Sequence, residues 1–192
     1  MEKIRCAWCE GTDIYKEYHD LEWGVPIYDD QKLFECLLLE TFQSGLSWIT
    51  ILKKRENFRS AFDEFDYHKI ANYNEYKILN LLQDSGIIRH KLKIKAAIIN
   101  ALKFIEIQKE FGSFSKYIWG FNDVQINSIS YTYLSEIPSK TVLSEKISKD
   151  LKKRGFKFVG PTVIYAFMQA IGMVNDHVTT CFRFQEINKL VK

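Results

Sequence analysis

Apolar positions recur every three or four residues along most of this chain, so the elements they predict are helices. Behind Asp29-Asp30, which supply acidic N-capping groups, an amphipathic helix is predicted from Gln31 to about Ser44. At ~100° per residue, Leu33, Leu37 and Ser44 fall within about 40° of one another, and Glu40 falls among them. Gly45 is placed to end this helix. A second runs over 47–59 and turns basic at Lys53-Lys54-Arg55, while Asp63–Asp66 and Tyr73–Glu75 read as turns between short helices. Helices over 75–84 and 90–111 follow, on the period of Leu79 and Leu82 and then of Ile94, Ala97, Ile98, Ala101 and Ile105. Near the C-terminus, a helix over 141–153 is separated by a turn from another over 161–171, which Pro161 opens and Gly172 ends. Only short pieces near 124–134 alternate with period 2. The expected fold is mostly α, with residues 1–192 forming one domain.

The totals narrow the class. An apolar share of 46% over 192 residues suits a packed domain, and the net charge of +3 says little about partners. No apolar run approaches the ~20 residues of a membrane span, and the first residues lack the apolar stretch of a signal peptide. Four scattered cysteines make no secreted disulfide framework, so a reducing cytoplasm is expected. The aromatic share of 15% is high, which points to rings lining a site as well as filling the core.

Those rings concentrate in residues 5–26, with Trp8, Tyr15, Tyr18 and Trp23 among Cys6, Cys9 and His19 and few aliphatic residues. At the other end, His177 and Cys181 are four apart, and on one helical turn they would face the same side as half of a tetrahedral metal site. Cys6 is the natural partner from the N-terminus; His19 and Cys9 compete for the fourth position. Such a site staples the two ends of the chain. Read alone, Cys6-Ala7-Trp8-Cys9 is also a CxxC, but no βαβ unit accompanies it as a redox pair requires.

Arg154-Gly155-Phe156-Lys157-Phe158-Val159-Gly160 joins the last two long helices through a turn with two glycines and four nearby cations, Lys152, Lys153, Arg154 and Lys157. Glycines let a phosphate approach the backbone, and the amides at the start of the following helix point at it. This turn is expected to contact DNA. Glu40 is the other outlier, because a carboxylate in an apolar stripe needs a partner or a task. Trp48, just after Gly45, falls close to it. Rings that stack on a base and a carboxylate that favours a positively charged one describe a pocket for a flipped-out, alkylated purine.

The motifs that carry a resemblance are Tyr18-His19-Asp20-x-Glu22-Trp23-Gly24-Val25-Pro26, Gly45-Leu46-Ser47-Trp48-x-Thr50-x-Leu52-Lys53-Lys54-Arg55, Gly86-Ile87-Ile88-Arg89, 153–160 and Val174-Asn175-Asp176-His177. Spanning residues 6 to 183, they resemble the 3-methyladenine DNA glycosylase I family of the helix-hairpin-helix superfamily. The resemblance implies a monofunctional DNA repair enzyme, a monomer, that hydrolyses the N-glycosidic bond of 3-methyladenine in alkylated double-stranded DNA. It implies one structural Zn2+ held by Cys6, His19, His177 and Cys181, and a helix-hairpin-helix over about 141–172 whose DNA contacts are Lys153, Arg154, Gly155, Lys157 and Gly160. It further implies a base pocket of Trp8, Tyr15, Tyr18, Trp23 and Trp48, with Glu40 recognising the base and acting as the catalytic carboxylate. Asp20 and Asp176 are expected to orient the ligating imidazoles. Two departures stand out. The family's Asp-Pro-Leu-Tyr reads Thr12-Asp13-Ile14-Tyr15 here, and the position of the wider superfamily's catalytic aspartate holds Asn175.

Overall fold

The computed structural model describes residues 3–121 and 130–190, and among these the chain is helical with no strand. The period-2 pieces near 124–134 fall largely outside the described residues; Leu134–Glu136 is a single 3-10 turn. Among the described residues no helix is long and apolar enough to cross a membrane.

At the centre lies α2 (Asp30–Gln43), whose first turn is capped by the Asp29 carboxylate accepting from Lys32 N at 2.9 Å. Leu33, Phe34, Leu37, Leu38 and Phe42 are all buried, so the helix is covered on nearly every side. Its stop is built from two parts. Gly45 takes the left-handed φ of +81°, and Lys93 donates to the terminal carbonyls of Phe42 (2.8 Å) and Ser44 (2.6 Å). Lys93 closes a run of basic residues, Arg89-His90-Lys91-Leu92-Lys93, at the start of α6 (Lys91–Phe111). Only 5% exposed, it is the cation at the negative end of α2.

α3 (Trp48–Ala61) returns along α2 and ends in a turn where Asp63, Glu64 and Phe65 all have φ between +50° and +58°. Three successive L-residues in this region cost about 1–2 kcal/mol each. The Asp63 carboxylate holds the turn, accepting from the Tyr73 hydroxyl and pairing with Lys77 at 3.0 Å. The one-turn α4 (Tyr67–Ile70) leads to α5 (Glu75–Gln83), whose packed face is Ile78 and Leu81, while Leu79 is 55% exposed, one position away from the face its period suggested. α6 (Lys91–Phe111), the longest helix among the described residues, buries Ile94, Ala97, Ala101, Phe104 and Ile107 against α2 and its neighbours, including the short α7 (Phe114–Trp119) that follows it. Ile98 and Ile105 flank that stripe half-buried.

The C-terminal third pairs α8 (Val142–Lys153) with α9 (Pro161–Ala170), and α9 packs in turn against α2. After α9 the backbone crosses the segment 24–26 so closely that a Cβ on Gly172 would lie 2.5 Å from Pro26 N and 2.6 Å from Gly24 O. This crossing brings the two ends of the chain together. At the N-terminal end is α1 (Asp13–Leu21), whose cap is Thr12, accepting from Tyr15 N at 3.4 Å. Thr12 thus starts the helix where the family pattern has Asp-Pro. The last helix, α10 (Phe182–Lys189), accounts for most of the C-terminal tail.

Candidate active site

Where α1, the C-terminal half of α2, the start of α3 and α9 converge, a cavity of about 360 Å³ opens. Trp8, Tyr15, Tyr18, Trp23, Glu40 and Trp48, the six residues singled out as a base pocket, all line it. Trp8 makes edge contacts with Tyr15 at 5.4 Å and Trp23 at 5.1 Å, and Tyr18 lies 5.3 Å from Trp48. Rings fixed at such angles leave flat faces toward the space between them. Tyr15 has a second task, because its hydroxyl accepts from Ile49 N at 2.9 Å in the first turn of α3.

Glu40 is 4% exposed, and its Oε2 has no hydrogen-bond partner; the buried Trp48 Nε1 has none either. Burial pushes the Glu40 carboxyl up to about 8. Burial, with the nearby Glu40 carboxylate second, also holds the Tyr18 phenol well above its ordinary range. The cavity therefore offers one orphan acceptor and one orphan donor inside an aromatic box, and a buried polar group without a partner costs about 1–3 kcal/mol until something supplies one.

Sequence reasoning missed Gln43, Leu134, Ile137, Ala166 and Gln169, which complete the lining. Gln43 had a signal, since it sits one turn after Glu40 on the same face of α2. Gln169 had none: its amide is set by Asp176, which accepts from Gln169 Nε2 at 2.8 Å and from the Tyr165 hydroxyl at 2.5 Å.

Beside the cavity, Cys6, His19, His177 and Cys181 are almost fully buried, with all four ligand atoms within 4.8 Å of one another. Cys9 is not in this set; its thiol donates to the Cys6 carbonyl. His19 Nε2 is 3.2 Å from His177 Nδ1 and 3.4 Å from Cys181 Sγ, and His177 Nδ1 is 3.6 Å from Cys181 Sγ and 3.7 Å from Cys6 Sγ. A tetrahedral ion with bonds of ~2.3 Å to sulfur and ~2.05 Å to nitrogen spaces its donors about 3.3 Å (N···N) and about 3.5 Å (S···N) apart. The donor set fits a metal ion. Each imidazole is also oriented from its far side, His19 Nδ1 by the Asp20 carboxylate at 2.8 Å and His177 Nε2 by the Trp23 carbonyl at 3.1 Å. Asp20 does what was expected of it, and the Trp23 carbonyl takes the role expected of Asp176, which faces Tyr165 and Gln169 instead. His177 and Cys181 do not share a helix. A turn closed by Cys181 N donating to Val178 O at 2.8 Å brings them together, and Cys181 caps α10.

Asn175 lies outside the cavity. Fully buried, it donates to Phe184 O at 3.1 Å and Asn188 Oδ1 at 2.8 Å and accepts from His177 N, which ties the ligand loop to α10.

The turn between α8 and α9 is rigid. Gly155 has φ +99°, and the half-buried Phe158 sits in the left-handed region at +56°. Asn100 of α6 holds both backbone groups of Lys157, donating to its carbonyl at 3.0 Å and accepting from its amide at 2.8 Å, while Ser148 donates to Val159 O at 2.6 Å. A Cβ on Gly160 would touch nothing within the protein, so the start of α9 is open to an approaching group. Lys152, Lys153 and Lys157 are exposed around it. Arg154 is engaged within the protein, paired with Glu110 at 2.7 Å and Asp150 at 2.7 Å and lying over the rings of Phe111 and Tyr117.

With this geometry in place, the model of the methyladenine glycosylase family matches residues 8–184. Over 177 residues the chain is 51% identical to DNA-3-methyladenine glycosylase 1 of Escherichia coli (strain K12), covering 92% of this chain and 95% of that one. A crystal structure of 3-methyladenine DNA glycosylase I superposes with a TM-score of 0.91 at 50% identity, covering 93% of this chain and 98% of that chain. A variant of 3-methyladenine DNA glycosylase I in complex with 3-methyladenine superposes at 0.89 and 35% identity, covering 93% and 96%. The chain belongs to the methyladenine glycosylase family, whose members hydrolyse N-glycosyl bonds.

Proposed function

We propose that this enzyme removes 3-methyladenine from alkylated double-stranded DNA, flipping the damaged nucleotide into the aromatic cavity and hydrolysing its N-glycosidic bond. The observation that carries this reading is the pair of unpartnered polar atoms, Glu40 Oε2 and Trp48 Nε1, buried among rings. A purine with an exocyclic amine and ring nitrogens supplies a donor to the first and an acceptor to the second. Methylation at N3 makes the nucleotide cationic, so it draws Glu40 into its carboxylate form and pairs with it, whereas a neutral adenine supplies no charge to offset the burial of a carboxylate.

Positive charge on the base also weakens its bond to the sugar. The pocket then contributes binding, exclusion of water from the base and stabilisation of developing charge by Glu40. No lysine lines the cavity among the described residues, which supports a monofunctional glycosylase with no lyase step.

Cys6, His19, His177 and Cys181 would hold one Zn2+, and a set of four protein ligands would give it a structural role, closing the fold. The α8–turn–α9 unit acts as a helix-hairpin-helix, with Gly155 and Gly160 admitting a phosphate to the start of α9 and Lys153 and Lys157 adding charge. Arg154 contributes by bracing the turn through Glu110 and Asp150, and meets DNA only if it leaves them. The protein works as a cytoplasmic monomer.

Release of free bases from methylated duplex DNA tests this, with 3-methyladenine and 7-methylguanine recorded in one run. Selective release of 3-methyladenine is expected; release of neither by folded protein would leave a DNA-binding module in its place.

A further inference from the structure

A second chamber lies behind the base cavity. It is a void of about 50 Å³ on the far side of Glu40, Tyr18 and Trp48, and these three side chains line both spaces as a partition. Its remaining polar walls are Glu22 with Arg55, a two-armed ion pair at 2.6 and 2.8 Å, and Glu35 with Lys32, 3.2 Å apart. Ile27 just ahead of α2, Cys36 and Leu39 of α2 and Ala170 of α9 complete the lining. A void this large with charged walls holds water, since each water finds the partners that an apolar void would deny it. Lys32 is 58% exposed and Glu22 43%, so the chamber reaches solvent on the side away from the base.

We propose that this rear chamber is a water-filled proton exit for Glu40, used when a base closes the front cavity. The proposal rests on the reading of Glu40 as the base-binding carboxylate. In the empty cavity Glu40 is buried without a partner, which favours its neutral form. A cationic base favours the carboxylate. Docking therefore breaks the Glu40 O–H bond, leaves the electron pair on the carboxylate opposite the base, and passes one proton to water. A base stacked between the rings covers the front, so the proton leaves between Glu22 and Glu35.

The groups facing this route do not trap the proton. From α1, Tyr18 stays a neutral phenol because burial and the Glu40 charge oppose its ionisation, and from α2 the Cys36 thiol is pushed far up by burial. Glu22 is bound to Arg55 of α3, and Glu35 to Arg59 at 2.7 Å and to Lys32. From α9 only Ala170 reaches the chamber.

The test fills the chamber without touching the front. Cys36→Leu does so from α2, and Ala170→Val from α9 in case the first variant fails to fold. The probe is 3,9-dimethyladeninium, a permanently cationic base, mixed with each protein in stopped flow while Trp fluorescence and a pH indicator are followed. For the unmodified enzyme near neutrality, about one proton is released per bound cation, in step with the fluorescence change. In the filled variants, association and dissociation at about pH 6.5 both slow by about tenfold with Kd unchanged, while at about pH 9, where Glu40 has already ionised, the rates match the unmodified enzyme. Unmodified rates at the lower pH, or equal slowing at both pH values, would overturn the exit. Failure of the folded, unmodified enzyme to bind the cation would overturn both the exit and the base-pocket reading beneath it.

Discussion

Two buried polar groups sit side by side in this molecule and are treated in opposite ways. In the Cys6/His19/His177/Cys181 cluster every donor atom faces another ligand atom, and both imidazoles are pinned from behind by Asp20 and by the Trp23 carbonyl. At Glu40, on the other side of Trp8, Tyr18 and Trp23, a carboxylate oxygen is left with nothing. A satisfied buried network specifies one structure, whereas an orphan stores a cost that a ligand can remove. The same aromatic residues wall both, so the rigidity of the first is lent to the second.

Removing the Zn2+ proposed for the cluster is the strongest way to break this contrast. Chelation, or Cys181→Ala, is expected to cost on the order of 5 kcal/mol or more and to abolish excision in step with the fold, read as thermal melting beside base release. Activity lost while melting stays unchanged would make the cluster catalytic.

Glu40→Gln sharpens the contrast from the other side. Excision is expected to fall by about 100-fold while the protein becomes more stable near neutral pH. The folded-state pKa of Glu40, about 8, lies above the ordinary carboxylate value of 4.5. Between those values the folded chain keeps a proton that the unfolded chain has lost, so the stability Glu40 contributes falls as pH rises through that window. The gain from Glu40→Gln should accordingly grow from near zero at about pH 4.5 to as much as roughly 4 kcal/mol at about pH 8, and denaturant melts at the two pH values check it.

Gly172→Ala attacks the crossing that sets the Trp23 segment against the ligand loop. With three backbone atoms within 2.6 Å of the new methyl and a φ of +73°, a loss of about 3 kcal/mol is expected. The smallest effects belong to the hairpin. Lys153→Gln and Lys157→Gln should each lower the slope of log affinity against log salt by about 1 and leave melting unchanged. Arg154→Ala should lower stability by about 1–2 kcal/mol because it strips Glu110 and Asp150 of their partner.

Much of this was legible in the sequence because its signals were local. Asp29 capping α2, Pro161 opening α9 and Glu40 inside an apolar stripe are all read within a turn or two of helix. The motifs supplied the pocket rings and the ligand set, and the structure brings each group together. What was not legible depended on partners far along the chain. Arg154 looks free until Glu110 is placed beside it, and Lys93 looks solvated until the carbonyls ending α2 arrive 49 and 51 residues away in sequence. Leu79 fits the period of α5 as well as Ile78 does, yet it is exposed while Ile78 and Leu81 are buried and Leu82 packs half-buried beside them, and only the neighbours decide this. The rear chamber has no motif at all; it is what remains between α1, α2, α3 and α9 when each has satisfied its own packing.

The ligand cluster joins residues up to 175 positions apart, Cys6 to Cys181. Contacts of such sequence separation form late, since a long loop must close before they are rewarded. A folding chain can complete α8, its glycine turn and α9, which are neighbours in sequence, before Cys6 and His177 meet. At that stage one wall of its pocket is still unanchored. Joining the ends last makes the ability to extract a base the final property the molecule acquires, and the first it loses when its ends separate.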